Sequence, residues 1–140
     1  MPRPAVLAAE LRVALVRSVR RIRAEKSDRD LGDGQYSVLA VLDRHEAMTP
    51  RELADHEGVR PPSMTRTLAS LVELGLVARA DDPRDGRQVL VRLTEAGRDT
   101  IRDTRRRRDA WLARRLAELS AEDRAVLARA AELLGRLAEP

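Results

Sequence analysis

The sequence contains no cysteine, no phenylalanine, one tryptophan and one tyrosine among its 140 residues. Without cysteine, the chain cannot form disulfides, thiolate metal sites, a cysteine nucleophile or a thiol redox switch. The shortage of aromatic rings argues against nucleic-acid binding by base stacking. No apolar run reaches the length of a membrane-spanning helix, and charged residues interrupt the N-terminus. We therefore expect a cytoplasmic protein with no membrane partner.

Charged side chains, by contrast, are abundant and lean towards the basic side. They make up 36% of the chain, the formal net charge is +4 and the pI is about 10.7. This balance is typical of a nucleic-acid partner, and equally of a well-solvated, arginine-rich surface. Because aromatic platforms are scarce, duplex DNA contacted through its phosphates and grooves is the better nucleic-acid candidate.

Hydrophobic spacing predicts amphipathic helices at both ends of the chain. Apolar residues recur at intervals of three or four over residues 5–23 and again after Ser120. Residues 26–34, rich in Asp and Gly, predict a loop, and residues 35–45 predict a short helix. The terminal helices carry more apolar residues than one chain of this length covers, so a second copy is the simplest partner.

Capping signals divide the middle of the chain. Thr49–Glu52 is a capping box with Pro50 at the first helical position, and the helix that it opens ends at Gly58. A second helix is predicted over Pro61–Leu74, stopping at Gly75. The residues predicted to face the rest of the domain from this helix are Met64, Leu68, Leu71 and Val72.

Two segments rich in β-formers, 76–80 and 88–93, flank the sequence DDPRDGR and predict an antiparallel hairpin. Thr94 then caps a long helix, and Ser120 caps the last one. Two short helices joined by a tight turn and followed by a hairpin form a winged helix-turn-helix.

The predicted fold is therefore mostly α with a small β-hairpin, organised in three parts. Residues 1–34 form an N-terminal dimerisation helix and loop. Residues 35–97 form the winged helix-turn-helix DNA-binding domain, and residues 98–140 form the C-terminal dimerisation helices.

The helix over Pro61–Leu74 is the candidate recognition helix. Away from its apolar side it carries small hydroxyl and cationic side chains, which can enter a major groove and touch base edges or phosphates. The alternative is an ordinary solvated helix face. The candidate DNA-binding residues are Pro61, Ser63, Thr65, Arg66, Thr67 and Ser70.

The hairpin tip is the candidate wing. Arg84 lies at the tip, where a cation suits the negative potential of a narrow minor groove. Asp82 or Asp85 can pair with Arg87 and hold the shape of the turn. The alternative is a solvent-exposed turn, since Pro, Asp and Gly form turns in any context.

These motifs together resemble the MarR family of bacterial transcriptional regulators. The marks are T-R-x-L (Thr65, Arg66, Leu68), L-x-x-x-G-L-V over 71–77, D-x-R-D-x-R over 82–87 and L-T-x-x-G over 93–97. The resemblance implies a homodimer on a pseudo-palindromic, double-stranded operator, with half-sites about 34–36 Å apart. It also implies that Arg84 enters the minor groove, and that the protein is a repressor released by a small lipophilic or phenolic anion. By position, the residues expected near the crevice for that anion are Val13, Arg17, Tyr36, Leu39, Ile101 and Arg105.

Other function classes are weaker. No glycine-rich nucleophile elbow or phosphate-binding loop occurs, so we expect neither an enzyme nor a cofactor. A winged-helix module that binds protein instead of DNA remains the alternative. His45 and His56 lack further ligands at a sensible spacing, so no metal is expected. The run Arg105–Arg108 is interpreted as a solvated face or as partners for acids such as Asp103 and Asp109. Trp111 is expected at the dimer junction, or else against a ligand.

Overall fold

A computed structural model describes residues 1–25 and 31–140. In those ranges the chain forms six helices and one hairpin, which confirms the mostly α fold with a small β-hairpin. Every helix in them is either too short or too polar to span a lipid bilayer. The elements, in chain order, are α1 (Pro4–Arg23), α2 (Asp33–Arg44), α3 (Pro50–Glu57), α4 (Pro61–Glu73), β1 (Val77–Asp81), β2 (Val89–Leu93), α5 (Glu95–Ala117) and α6 (Ala121–Ala138).

The capping signals place the helix ends correctly. The Thr49 hydroxyl accepts a hydrogen bond from the Glu52 backbone N–H at 3.1 Å, and the Glu52 carboxylate accepts one from the Thr49 N–H at 3.2 Å. Gly58 and Gly75, which follow α3 and α4, have φ angles of 64° and 74°. Glycine adopts this left-handed conformation without strain, so both helices stop where the sequence predicts.

Helix α2 starts two residues earlier than predicted. Its first residue is Asp33, because the Gln35 side chain accepts a hydrogen bond from the Gly32 backbone N–H at 3.0 Å and so caps the helix there. The predicted loop over 26–34 is therefore wrong at 33–34, and residues 26–30 lie outside the described ranges. The boundaries predicted after residues 34 and 97 both fall inside helices, α2 and α5.

One hydrophobic core holds α2, α3, α4, the hairpin and the first turns of α5 together. Its fully covered side chains come from every one of these elements, and burying each stabilises the fold by roughly 1.5–3 kcal/mol. They include Leu39, Leu53, Leu68, Leu71, Val91 and Ile101. We call this body, formed by α2, α3, α4, the hairpin and the start of α5, the winged unit. It extends into α5 as far as Thr104, which is also buried.

The hairpin pairs β1 with β2 in the antiparallel register Val77 to Leu93 and Asp81 to Val89. A third backbone segment joins it before α3. Met48 exchanges two backbone hydrogen bonds with Val91, at 2.8 and 3.1 Å. The hairpin is therefore attached to the domain along β2, and its far end is free to project.

A close backbone contact joins the base of the hairpin to α4 and α5. The Thr94 hydroxyl donates to the Gly75 carbonyl at 2.6 Å and accepts from the Gly97 N–H at 3.1 Å. The Thr94 N–H donates to the Leu76 carbonyl at 3.1 Å. A Cβ atom on Gly97 would overlap that carbonyl oxygen. The L-T-x-x-G motif is thus a packing motif, in which only glycine fits the last position.

Helices α1 and α6 bury no residue in the single chain. Both carry large apolar side chains that stay exposed, as the hydrophobic spacing of the terminal segments predicts. These residues include Val6, Val13, Val16, Val19, Val126, Leu127, Leu133 and Leu137. Val72 of α4, predicted to face the domain, is 39% exposed instead, because it lies beside the buried row rather than in it.

We expect Gly97→Ala to destabilise the protein by about 1–3 kcal/mol, since an added Cβ meets the Leu76 carbonyl and forces α5 away from the hairpin. Urea unfolding at a fixed chain concentration measures the effect. Gly34→Ala is the matched control, because a Cβ there meets nothing within 4 Å. Equal unfolding midpoints for the two variants would contradict this account of the motif.

Candidate DNA-binding surface

Helix α4 lies on the core through Met64, Leu68 and Leu71, which are all buried. Its opposite side is open to solvent. Thr65 and Arg66 are exposed there, as is Pro61 at the helix start. The Thr65 hydroxyl donates to the Pro61 carbonyl at 3.0 Å, which leaves its oxygen lone pairs free to accept from a base or a bound water.

Three of the predicted contact residues lie on the flank of α4 rather than on its open side. Ser63, Thr67 and Ser70 are only partly exposed. The Thr67 hydroxyl donates to the Ser63 carbonyl at 3.1 Å. Ser70 accepts a hydrogen bond at 2.7 Å from the side chain of Gln35 in α2. The structure therefore places Ser70 against a neighbouring helix, which the spacing within α4 gave no means to predict.

The wing is shaped by its aspartates, although not through ion pairs with Arg87. The Asp82 carboxylate accepts from the Arg84 backbone N–H at 2.9 Å, and Asp85 accepts from the Arg87 N–H at 3.1 Å. These are Asx turns, in which a short acid satisfies a backbone donor two residues later. The expected pairing with the Arg87 guanidinium is replaced by bonds to the backbone.

This arrangement leaves the wing arginines available. Arg84 and Arg87 are exposed, and the backbone on which each one is carried is fixed by an aspartate. A backbone hydrogen bond between Gln88 and Asp85 at 3.0 Å closes the second turn. The wing therefore presents two cationic side chains on an ordered loop, as the minor groove of a duplex requires.

The arginines of the run Arg105–Arg108 in α5 make contacts with other residues of the same chain. Arg106 and Arg107 contact the Asp103 carboxylate at 3.4 and 3.1 Å, as predicted for that acid. Arg105 binds Asp43 of α2 at 2.8 Å, and this hydrogen bond raises the pKa of the Arg105 guanidinium. Arg108 packs on the ring of Tyr36, 4.2 Å from its centroid. It also donates to the Glu25 carbonyl at 3.3 Å.

Trp111, a residue of α5, contacts α1 of the same chain. The Arg21 guanidinium lies 4.3 Å from the ring centroid, and that of Arg115 lies 5.6 Å from it. Cation–π contacts of this kind are stabilising by roughly 0.5–1 kcal/mol at exposed sites. The Arg21 contact joins α1 to α5, whereas the Arg115 contact lies within α5. The expected place of Trp111 at a dimer junction stays a prediction.

The two histidines meet in space despite lying eleven positions apart. The ring centroids of His45 and His56 are 6.1 Å apart in an edge-to-face arrangement. His56 lies 3.9 Å from the Glu57 carboxylate, whose two oxygens share the single hydroxyl hydrogen of Ser37. Within residues 1–25 and 31–140, no three His, Asp or Glu side chains lie close enough to hold a metal ion.

The six residues expected near an effector crevice fall in different environments. Leu39 and Ile101 are fully buried in the core, so neither lines an open crevice in the single chain. Tyr36 is covered by Arg108, and Arg105 is paired with Asp43. Val13 and Arg17 are exposed on α1.

An open groove of about 520 Å³ lies instead along the C-terminal half of α1, facing the start of α2. It combines an apolar wall with two arginines and one aspartate. Its lining residues are Leu15, Val16, Val19, Arg20, Arg23, Ala24 and Asp33.

Comparison with known proteins finds relatives that are similar in sequence and solved structures that are similar in fold. Residues 29–88 match a model of the MarR family. The HTH-type transcriptional regulator MT0903.1 of Mycobacterium tuberculosis is 45% identical over 128 residues, which cover 91% of this chain and 90% of that protein. The HTH-type transcriptional repressor Mb2911 of Mycobacterium bovis is 32% identical over 101 residues, covering 72% and 73%. A crystal structure of mutant MarR from E. coli superposes with a TM-score of 0.79 at 26% identity, covering 96% and 98%.

Proposed function

Because the chain belongs to the MarR family of transcriptional regulators and is not an enzyme, we propose that it binds a pseudo-palindromic operator as a homodimer. Helix α4 of each copy enters the major groove, and each wing enters the adjacent minor groove. Two such half-sites lie about one helical turn, or about 34–36 Å, apart.

The observation that carries this proposal is the ordered wing. Asp82 and Asp85 fix the loop backbone by hydrogen bonds, so Arg84 at the tip is carried in a set position. A side chain on an ordered loop loses less conformational entropy on binding than one on a flexible loop. Arg66, exposed on α4, supplies a second cation for the neighbouring groove or its phosphates.

We expect Arg84→Ala to weaken binding to a selected operator by about 1–3 kcal/mol, the scale of one good groove contact. Fluorescence anisotropy at constant salt measures the dissociation constant. Arg114→Ala is the control, because it removes the same charge from the second half of α5, outside the winged unit. Equal affinities of the two variants would disprove the wing assignment. Wild-type affinity that stays flat as salt rises would disprove phosphate contacts and favour a protein-binding module.

The homodimer is supported by the apolar side chains that α1 and α6 leave uncovered. Neither helix buries a residue in the single chain, although both are amphipathic. Leu133 is 41% exposed in the middle of α6, and Leu137 is 76% exposed near its end. Contiguous apolar surface of this kind marks an interface, and a second copy of the same chain offers a matching surface.

We expect Leu133→Glu to convert the dimer to a monomer, because it places a charge in the apolar contact while glutamate still favours the helix. Light scattering after size exclusion gives the mass, which should fall from twice 15.7 kDa to that value. Val59→Glu is the control, since Val59 has the same 41% exposure but lies between α3 and α4. A wild-type mass of one chain at micromolar concentration would refute the proposed dimer.

We further propose that the protein represses and that a small lipophilic or phenolic anion releases it. Support for repression comes from Mb2911, which is named a repressor. Support for the anion comes from the groove beside α1, where Leu15 and Val19 offer apolar contact and Arg20 and Arg23 offer charge. Such a mixture suits an amphipathic anion.

We expect at least one member of a panel of alkyl- and aryl-substituted benzoates to dissociate the operator complex. Arg20→Ala should raise the concentration needed by about tenfold to a hundredfold, since a hydrogen bond to a charged group contributes roughly 1.5–3 kcal/mol. Arg114→Ala should leave it unchanged. If none of the anions dissociates the operator complex, the effector proposal is wrong, while the proposal of DNA binding is unaffected.

A further inference from the structure

The hydrogen bond between Gln35 and Ser70 joins the recognition helix to the first turn of α2. It is short, at 2.7 Å, and partly buried, and it spans 35 positions of sequence. Ser70 lies in the C-terminal part of α4, between the buried Leu68 and Leu71. Apolar contacts tolerate sliding and rotation more than a directional hydrogen bond does. The Gln35 contact therefore limits the rotation of α4 on the core.

Gln35 is itself held in one orientation. Its side-chain oxygen accepts from the Gly32 backbone N–H at 3.0 Å. Because an amide has one acceptor oxygen and one donor nitrogen, this bond turns the nitrogen towards Ser70. Gln35 thus acts as a rigid link between the α2 cap and α4.

The next residue ties the same turn of α2 to the long helices. Tyr36 packs under the Arg108 guanidinium of α5, with 4.2 Å between the guanidinium carbon and the ring centroid. Arg108 also donates to the carbonyl of Glu25, just after the end of α1. The first turn of α2 therefore contacts the recognition helix through Gln35 and α5 through Tyr36, and Arg108 of α5 in turn bonds Glu25, just after α1.

We propose that Gln35 is a positioning residue for DNA reading, and that the Ser70–Gln35 bond and the Tyr36–Arg108 stack set the angle of α4 relative to the terminal helices. The inference rests on the proposed function, because only in a dimer do the terminal helices determine where the two copies of α4 lie. Two copies of α4 must meet successive major grooves, so a small rotation of each one degrades the match to an operator.

A double-mutant cycle on Gln35→Ala and Ser70→Ala tests the link. Dissociation constants are measured for an operator selected with the wild-type protein and for a random fragment, with urea unfolding in parallel. Each single variant should weaken operator binding about three- to tenfold, the range of one hydrogen bond. The double variant should be no weaker than the worse single one. Binding to the random fragment should change less than twofold, because it depends on phosphate contacts.

Ser37→Ala is the matched control. It removes hydrogen bonds between α2 and the Glu57 carboxylate at the end of α3, two residues from Gln35, without touching α4. We expect it to change the unfolding free energy but not the ratio of operator to random-fragment affinity. The positioning role is overturned if Ser37→Ala and Gln35→Ala lower that ratio equally, or if the Gln35 and Ser70 effects simply add.

A distance measurement separates this inference from the proposed function. Since the chain has no cysteine, Glu73→Cys at the exposed end of α4 takes one spin label per copy. The wild-type background should give a single narrow distance between labels, and Gln35→Ala should broaden it while Ser37→Ala should not. Absence of any inter-label coupling would refute the dimer itself. A distribution that Gln35→Ala leaves narrow, in an intact dimer, would overturn only the role of Gln35.

Discussion

The winged unit depends on the contact between the Gly97 backbone and the Leu76 carbonyl. Through it, the backbone between α4 and β1 meets the first turn of α5 directly. The Thr94 hydroxyl also bridges Gly75, which precedes β1, and Gly97 of α5. The long helix α5 therefore leaves the winged unit at a fixed angle. The positions of the α5 side chains, including Arg108 and Trp111, therefore depend on the contact between Gly97 and Leu76.

Apolar packing and polar contacts have different roles in this structure. Apolar side chains fill the centre of the winged unit, and Leu39, Leu68 and Ile101 are fully covered there. At the edge of the unit, α1 and Glu25 just after it instead meet α5 through cation–π and polar contacts, and α5 meets α2 in the same way. Such contacts are individually weak and directional. They orient α1 relative to α5, while the apolar side chains of α1 and α6 stay exposed in the single chain.

The sequence predicts the elements well because their signals are local. A cap such as Thr49 with Glu52 acts across three residues, and a stop such as Gly58 acts at one, so spacing alone reveals both. The start of α2 was missed because its cap uses a glutamine side chain in place of the usual hydroxyl or carboxylate at the cap. The family resemblance and the mostly α winged fold were also within reach of the sequence, since their motifs are contiguous.

The site was only partly predictable, because its polar contacts join residues far apart in the chain. Nothing in the spacing of α4 distinguishes Ser70, bonded to Gln35, from Thr65, open to solvent. The wing acids were expected to act on a guanidinium, whereas they bond the backbone two residues on. Charge counts do not separate these two options, because an aspartate carboxylate suits either donor.

The placement of the single tryptophan has a spectroscopic consequence. Trp111 is the only indole of the chain, and its ring in α5 contacts the guanidinium group of Arg21 from α1. Its emission therefore reports on the contact between α1 and α5, and no other tryptophan contributes to the signal. A separation of α1 from α5 would expose the indole to water and shift its emission to longer wavelength. Tryptophan fluorescence of the unlabelled protein therefore measures whether α1 and α5 stay in contact.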